Sequence, residues 1–145
     1  MADVQAPNAI ERIFNSLMGA LVRVGIGKPK MRVLEVRGRK SGKVYTLPVD
    51  LLMLNGKLYL VAPRGHTQWV ANAEAAGVVT LRRGSASDSY RLRALAPAEK
   101  PAVLKAYLEE FQSEVRRFFT VPPGAPLEAF AGIASKHPAF ELTKA

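Results

Sequence analysis

The segment Arg37-Gly38-Arg39-Lys40-Ser41-Gly42-Lys43 places four cations, two glycines and a hydroxyl in seven residues. Two glycines let the backbone turn tightly and aim several N–H groups at one point. Arg39, Lys40 and Ser41 add charge-assisted donors beside them. Amides and cations converging in this way are what a phosphate requires. The segment is not a Walker A loop: three residues separate Gly38 from Gly42-Lys43, and Val44 stands where a magnesium-binding hydroxyl would be. The same residues would also suit a solvated basic hairpin turn, so the loop alone does not decide the chemistry.

A second cluster, Ala62-Pro63-Arg64-Gly65, leaves a strand and leads into a short helix. Arg64 would supply a further cation. Trp69 and Asn72 lie three apart on that helix, hence on one side of it. A lone tryptophan is more often a core anchor than a ligand contact; an asparagine beside it is harder to explain by packing. His66 follows the cluster and reads as a surface loop residue. His137, before Pro138, reads as a turn residue, and Asp50 is an odd residue for a strand interior.

The elements that would position these groups follow from periodicity. Asn8 to Gly25 reads as an amphipathic helix, capped by Asn8 with Glu11 three positions on. Strands are expected at Arg32–Arg37, Val44–Leu54, Lys57–Ala62, Val78–Arg83, Ser89–Leu95 and Ala139–Thr143. Asn55-Gly56 is a strong hairpin signal between the second and third. Helices are expected at Gln68–Ala76, ended by Gly77, from about Ala98 to Phe119, and briefly before the last strand. Six short strands in largely hairpin order predict a single mainly β domain, an antiparallel barrel with flanking helices.

Composition narrows the function classes. With 145 residues the chain can bury one core. It has no cysteine, which excludes disulfides, thiolate metal sites and thiol catalysis, and two histidines make a histidine-rich metal site a poor expectation. The opening MADVQAPN lacks a basic stretch followed by an apolar run, so a cytoplasmic protein is expected. The formal charge is +9, and residues 28–43 carry +6 of it. That concentration favours an anionic partner: a phosphorylated cofactor, a nucleic acid or an acidic membrane surface.

Gly-Arg-Lys-Ser-Gly at 38–42, Pro48 in the next strand, Ala-Pro-Arg-Gly at 62–65, and Trp69 with Asn72 together resemble the deazaflavin (coenzyme F420)-dependent nitroreductase family. This family is a branch of the split-barrel flavin-binding proteins. The resemblance covers roughly Val33 to Gly84 and the final strand. It implies a six-stranded split β-barrel and an F420-dependent oxidoreductase. By that likeness Arg39, Lys40, Ser41 and Gly42, with Lys43 adjacent, would grip the cofactor's phosphate and the start of its acidic tail. Pro48 and Val49 would line the deazaflavin ring. Ala62, Pro63, Arg64 and Gly65 would wrap its other side, and Trp69 and Asn72 would complete the pocket. Family members acting on bulky nitro compounds carry tyrosines after the second hairpin. Here that region offers Tyr107, Phe111, Phe118 and Phe119, whose spacing suits the apolar stripe of a helix.

The expected reaction is hydride transfer from reduced deazaflavin to an electron-poor acceptor such as an enone, unsaturated lactone, quinone or nitroaromatic ring. The cofactor carries the redox chemistry, so no catalytic side chain is assigned. FMN in the same barrel is the alternative cofactor. A nucleic-acid-binding module is the weaker alternative, because only Tyr45 lies close to the basic run and a platform of stacking aromatics is missing. The expected partner is a small redox substrate, not nucleic acid. The chain is expected to be a monomer or homodimer; helix 8–25 is expected to pack on the barrel, with weak membrane-surface association as the lesser option.

Overall fold

The computed structural model describes residues 30–145, so the helix expected over 8–25 lies outside the described residues. Among the described residues seven strands form one antiparallel sheet: β1 (Met31–Arg37), β2 (Val44–Asp50), β3 (Leu52–Leu54), β4 (Lys57–Val61), β5 (Val78–Arg83), β6 (Ala86–Ala94) and β7 (Ala139–Lys144). Their order across the sheet is β2-β1-β5-β6-β7-β4-β3. The two end strands are consecutive in sequence, with Leu51 alone between them, so the sheet must curl until its ends approach each other.

That junction also explains why there are seven strands where six were expected. The run 44–54 is one apolar stretch, but its first part pairs with β1 and its last part with β4. A straight strand could not serve both. The chain bends at Leu51, whose N–H donates to Lys30 O at 2.9 Å and whose side chain is buried. The Asn55-Gly56 turn forms as expected, with φ of 53° and 76° at its two positions.

Helix α1 (Gln68–Ala76) follows β4 and ends where Gly77 takes φ 74°, its N–H returning to Ala73 O. The long helix expected from Ala98 to Phe119 is broken. It comprises a 3₁₀ turn (Pro97–Glu99), α2 (Lys100–Glu110), α3 (Gln112–Val115) and a second 3₁₀ turn (Arg116–Phe118). A continuous helix of that length would span about 33 Å and run off the barrel. Breaking at Phe111 lets both Phe111 and Phe119 pack on Tyr107, at centroid distances of 5.3 and 6.3 Å. Helix α4 (Leu127–Ala131) and a 3₁₀ turn (Ala134–Lys136) lead into β7.

One core lies within the curl of the sheet and includes Leu34, Val36, Leu60, Val79, Leu81 and Leu142. A second joins α2 and α4 to the β3–β4 end, around Leu104, Tyr107, Leu108, Phe111 and Phe130. Helix α1 packs against β1 and β5, with Val70 and Ala73 both wholly buried. None of the helices among the described residues is long and apolar enough to cross a membrane.

Candidate cofactor-binding site

The turn between β1 and β2 is the cationic segment. Gly38 N–H donates to Lys43 O at 2.7 Å, Gly42 N–H donates to Gly38 O at 3.0 Å, and Arg37 Nη1 donates to Gly42 O at 2.7 Å. Ser41 Oγ accepts from Lys43 N–H at 3.2 Å and lies 3.3 Å from the Tyr45 hydroxyl. Lys40, Ser41, Gly42 and Lys43 face solvent, while Arg39 is half-buried. Gly42 sits at φ 74° with open space where a Cβ would be. Gly38 is a glycine for a different reason: a Cβ there would stand 2.6 Å from the Tyr45 ring. The turn is thus a fixed cationic corner with an open tip whose charges suit a phosphate-bearing group. The N–H groups of Gly38, Arg39, Gly42 and Lys43, however, are bonded within the protein and do not converge on one point as the glycines suggested.

Arg39 ties this corner to α1. Its backbone N–H donates to Asn72 Oδ1 at 3.1 Å, and its Nη1 donates to Asn72 Oδ1 at 2.7 Å and to Gln68 Oε1 at 3.1 Å. The corner therefore sits against the helix that bears Trp69 and Asn72. Those two residues diverge. Asn72 is buried toward Arg39, whereas Trp69 packs its ring 6.3 Å from Phe140 and against the core.

The second cluster lies at the other end of β4, just before α1. Ala62 is buried and its N–H donates to Pro138 O at 2.8 Å; Gly65 N–H returns to Ala62 O at 3.2 Å. Gly65 has φ 88°, with Lys136 O 3.4 Å from the position of a Cβ. Thr67 caps α1 by position, yet its hydroxyl makes no bond to the helix amides. Arg64 leans toward the segment after α3: its guanidinium lies 5.8 Å above the Phe118 ring, which Arg117 also covers at 4.6 Å. On β2, Val49 packs into the barrel core, so Pro48, next to it on an alternating strand, faces the opposite side. The pair cannot present both side chains to one ring.

Sequence reasoning missed the place of His137. It is buried, stacks on Phe119 at 4.3 Å and 16°, and lies against the backbone of Ala62 and Pro63. Burial pushes its imidazole below the ordinary value, and Lys100 and Lys136 act in the same direction; the Pro63 and Ala62 backbone oppose them. A histidine-proline pair opening a strand carries no local signal of burial. Gln68 was likewise not singled out, and Tyr45 was read only as an aromatic residue beside the basic run. A shallow hollow lined by Ala73, Glu74, Gly77, Leu92, Ala94 and Phe140 contains none of the expected site residues. Among the described residues no three His, Asp or Glu side chains gather as metal ligands.

Comparison with known proteins bears on this geometry. A solved chain described as a domain-swapped dimer is 21% identical, with a TM-score of 0.57 over 92% of this chain and 93% of that one. An F420-H2 dependent reductase is 21% identical, with a TM-score of 0.55 over 79% of this chain and 95% of that one. A FAD-binding protein from Mesorhizobium loti is 16% identical, with a TM-score of 0.50 over 90% and 89%. At these identities the likeness speaks to the fold alone, a split barrel. No curated protein matches the chain. The sequence does match a family model over residues 9–120, which takes in the corner, the 62–65 loop and α1. With a cationic corner suited to a phosphate and a match over most of its length, the chain belongs to the F420H(2)-dependent quinone reductase family, oxidoreductases whose cofactor is F420.

Proposed function

We propose that this protein transfers a hydride from reduced F420 to an electron-poor organic acceptor, with quinones foremost and enones, unsaturated lactones and nitroaromatics in the same chemical class. When bound, the reduced deazaflavin supplies the hydride. Everything else falls to the chain: holding the anionic end of the cofactor, orienting its ring, and leaving one ring face to the acceptor at near-attack distance. The proposal gives Arg39, Lys40, Ser41, Gly42 and Lys43 the phosphate and the start of the acidic tail. Ala62 to Gly65 flank the ring, and Pro48, on the outward side of β2, is its contact from that strand; Trp69, packed on Phe140, supports the pocket from behind.

The observation that carries this reading is the corner itself. Its tip is open and positively charged, and its base is bonded to α1 through Arg39. A merely solvated turn would need no such tether. Assembly as a homodimer is part of the proposal. It is supported by the neighbour described as a domain-swapped dimer and by Val44 and Tyr45, apolar residues left about half exposed on end strand β2. A cytoplasmic location is proposed with it.

Titration of the purified protein with F420, followed by quinone and nitroaromatic panels with the reduced cofactor, tests the reading. Arg39→Ala and Lys40→Ala each remove a charge-assisted contact, so cofactor affinity is expected to fall about tenfold or more. Turnover at saturating cofactor should change much less. Unchanged affinity in both variants would refute the assignment of the corner.

A further inference from the structure

Four like charges in a seven-residue turn repel one another, so the corner needs an anchor that holds it without cancelling its charge. Asn72 meets that requirement. Its Oδ1 accepts from the Arg39 backbone N–H at 3.1 Å and from Arg39 Nη1 at 2.7 Å. Both partners are donors, so the amide must turn its oxygen toward them. Nη1 carries two protons, and the second goes to Gln68 Oε1 at 3.1 Å. Among the described residues no partner takes the protons of Nη2 and Nε, and that edge of a guanidinium can bind phosphate oxygens in a fork. A carboxylate at position 72 would hold Arg39 equally well, but it would neutralise the charge that the corner offers.

We infer that Asn72 is a positioning residue for the cofactor's phosphate, acting through Arg39 rather than touching the cofactor. It is 6% exposed and its oxygen is occupied twice by Arg39. It fixes the corner on α1, the helix that continues directly from the 62–65 loop, and so sets the spacing between the two candidate binding segments. The site thereby reaches its binding shape before the cofactor arrives, which lowers the ordering cost of binding. This inference rests on the F420 reading for the identity of the anion, but not for the clamp.

Two measurements on the full chain test it. Amide hydrogen exchange at Arg39 reports the clamp with no ligand present. Fluorescence titration compares F420 with its phosphate-free chromophore. Asn72→Ala should speed exchange of the Arg39 amide about tenfold or more and weaken F420 binding about tenfold. Affinity for the phosphate-free chromophore should stay within about twofold, because a positioning role acts only on the anion. Asn72→Asp should keep the Arg39 amide protected and still weaken F420, through charge; it also carries the test if Asn72→Ala does not fold. Equal losses for both ligands, or an Arg39 amide that stays protected in Asn72→Ala, would overturn the assignment. If the wild-type protein bound neither ligand, the F420 reading would fall, while the exchange data would still decide the clamp.

Discussion

Gly38→Ala and Gly42→Ala change the same cationic turn by one methyl each, yet they should fail for different reasons. At Gly38 the new Cβ would lie 2.6 Å from Tyr45 Cε2, 3.0 Å from Ser41 Oγ and 3.3 Å from Lys43 O. Carbon atoms pack comfortably at about 3.5–4.0 Å, so the Tyr45 ring must retreat by roughly 1 Å. It can do so, being 49% exposed, but its 3.3 Å contact with Ser41 is then lost. Overpacking in general costs about 1–3 kcal/mol, and a mobile ring puts this case near the lower end. At Gly42 nothing lies within 4 Å of the added atom, and the penalty is the φ of 74° alone. That conformation costs an L-residue about 1–2 kcal/mol. Adding Tyr45→Ala should therefore relieve Gly38→Ala, with a coupling of about 0.5–1 kcal/mol, and should do nothing for Gly42→Ala. Gly42→Asn should recover part of the loss, since asparagine tolerates this region. Urea denaturation midpoints measure the stability terms, and F420 titration shows whether the turn still binds. Additive effects of Gly38→Ala and Tyr45→Ala, or a harmless Gly42→Ala, would refute the reasoning.

Two further outcomes follow from the core and from His137. Phe130 is wholly buried between α2 and α4, so Phe130→Ala should cost about 3–5 kcal/mol in denaturant unfolding, and a loss under about 1 kcal/mol would contradict the packing. His137 has its pKa lowered on folding, chiefly by burial, so the folded state binds fewer protons than the unfolded chain. Its contribution is fully present above the unfolded value near 6.5 and is lost as the pH falls from there through the folded value. His137→Gln should flatten the decline in stability between neutral and mildly acidic pH; an unchanged slope would show that other groups cause it.

Much of the local structure was legible in the sequence because it depends on neighbours in the chain. Asn55-Gly56 dictated a turn with two positive φ values, and Gly77 ended α1 where it was expected to. The cationic corner was visible as a composition of cations and glycines. What local patterns missed were the breaks. Val44–Leu54 reads as one strand because its residues are uniformly suited to one, and only the demand to pair with both β1 and β4 bends it at Leu51. The interruption at Phe111 has the same origin, since packing two phenylalanines on Tyr107 outweighs helical continuity.

By itself, the sequence determined the charge of the corner, the turns that shape it and the barrel class, since these follow from residue type and short-range periodicity. Only the tertiary structure decided what the candidate residues do. Asn72 was legible as a polar residue on a helix, but its commitment to Arg39 spans 33 positions. His137 became a buried prop for the 62–65 loop only once β7 paired with β4. The reason is physical: hydrogen-bond partners and dielectric surroundings are set by which distant segments meet, and no window of sequence contains both sides of that meeting.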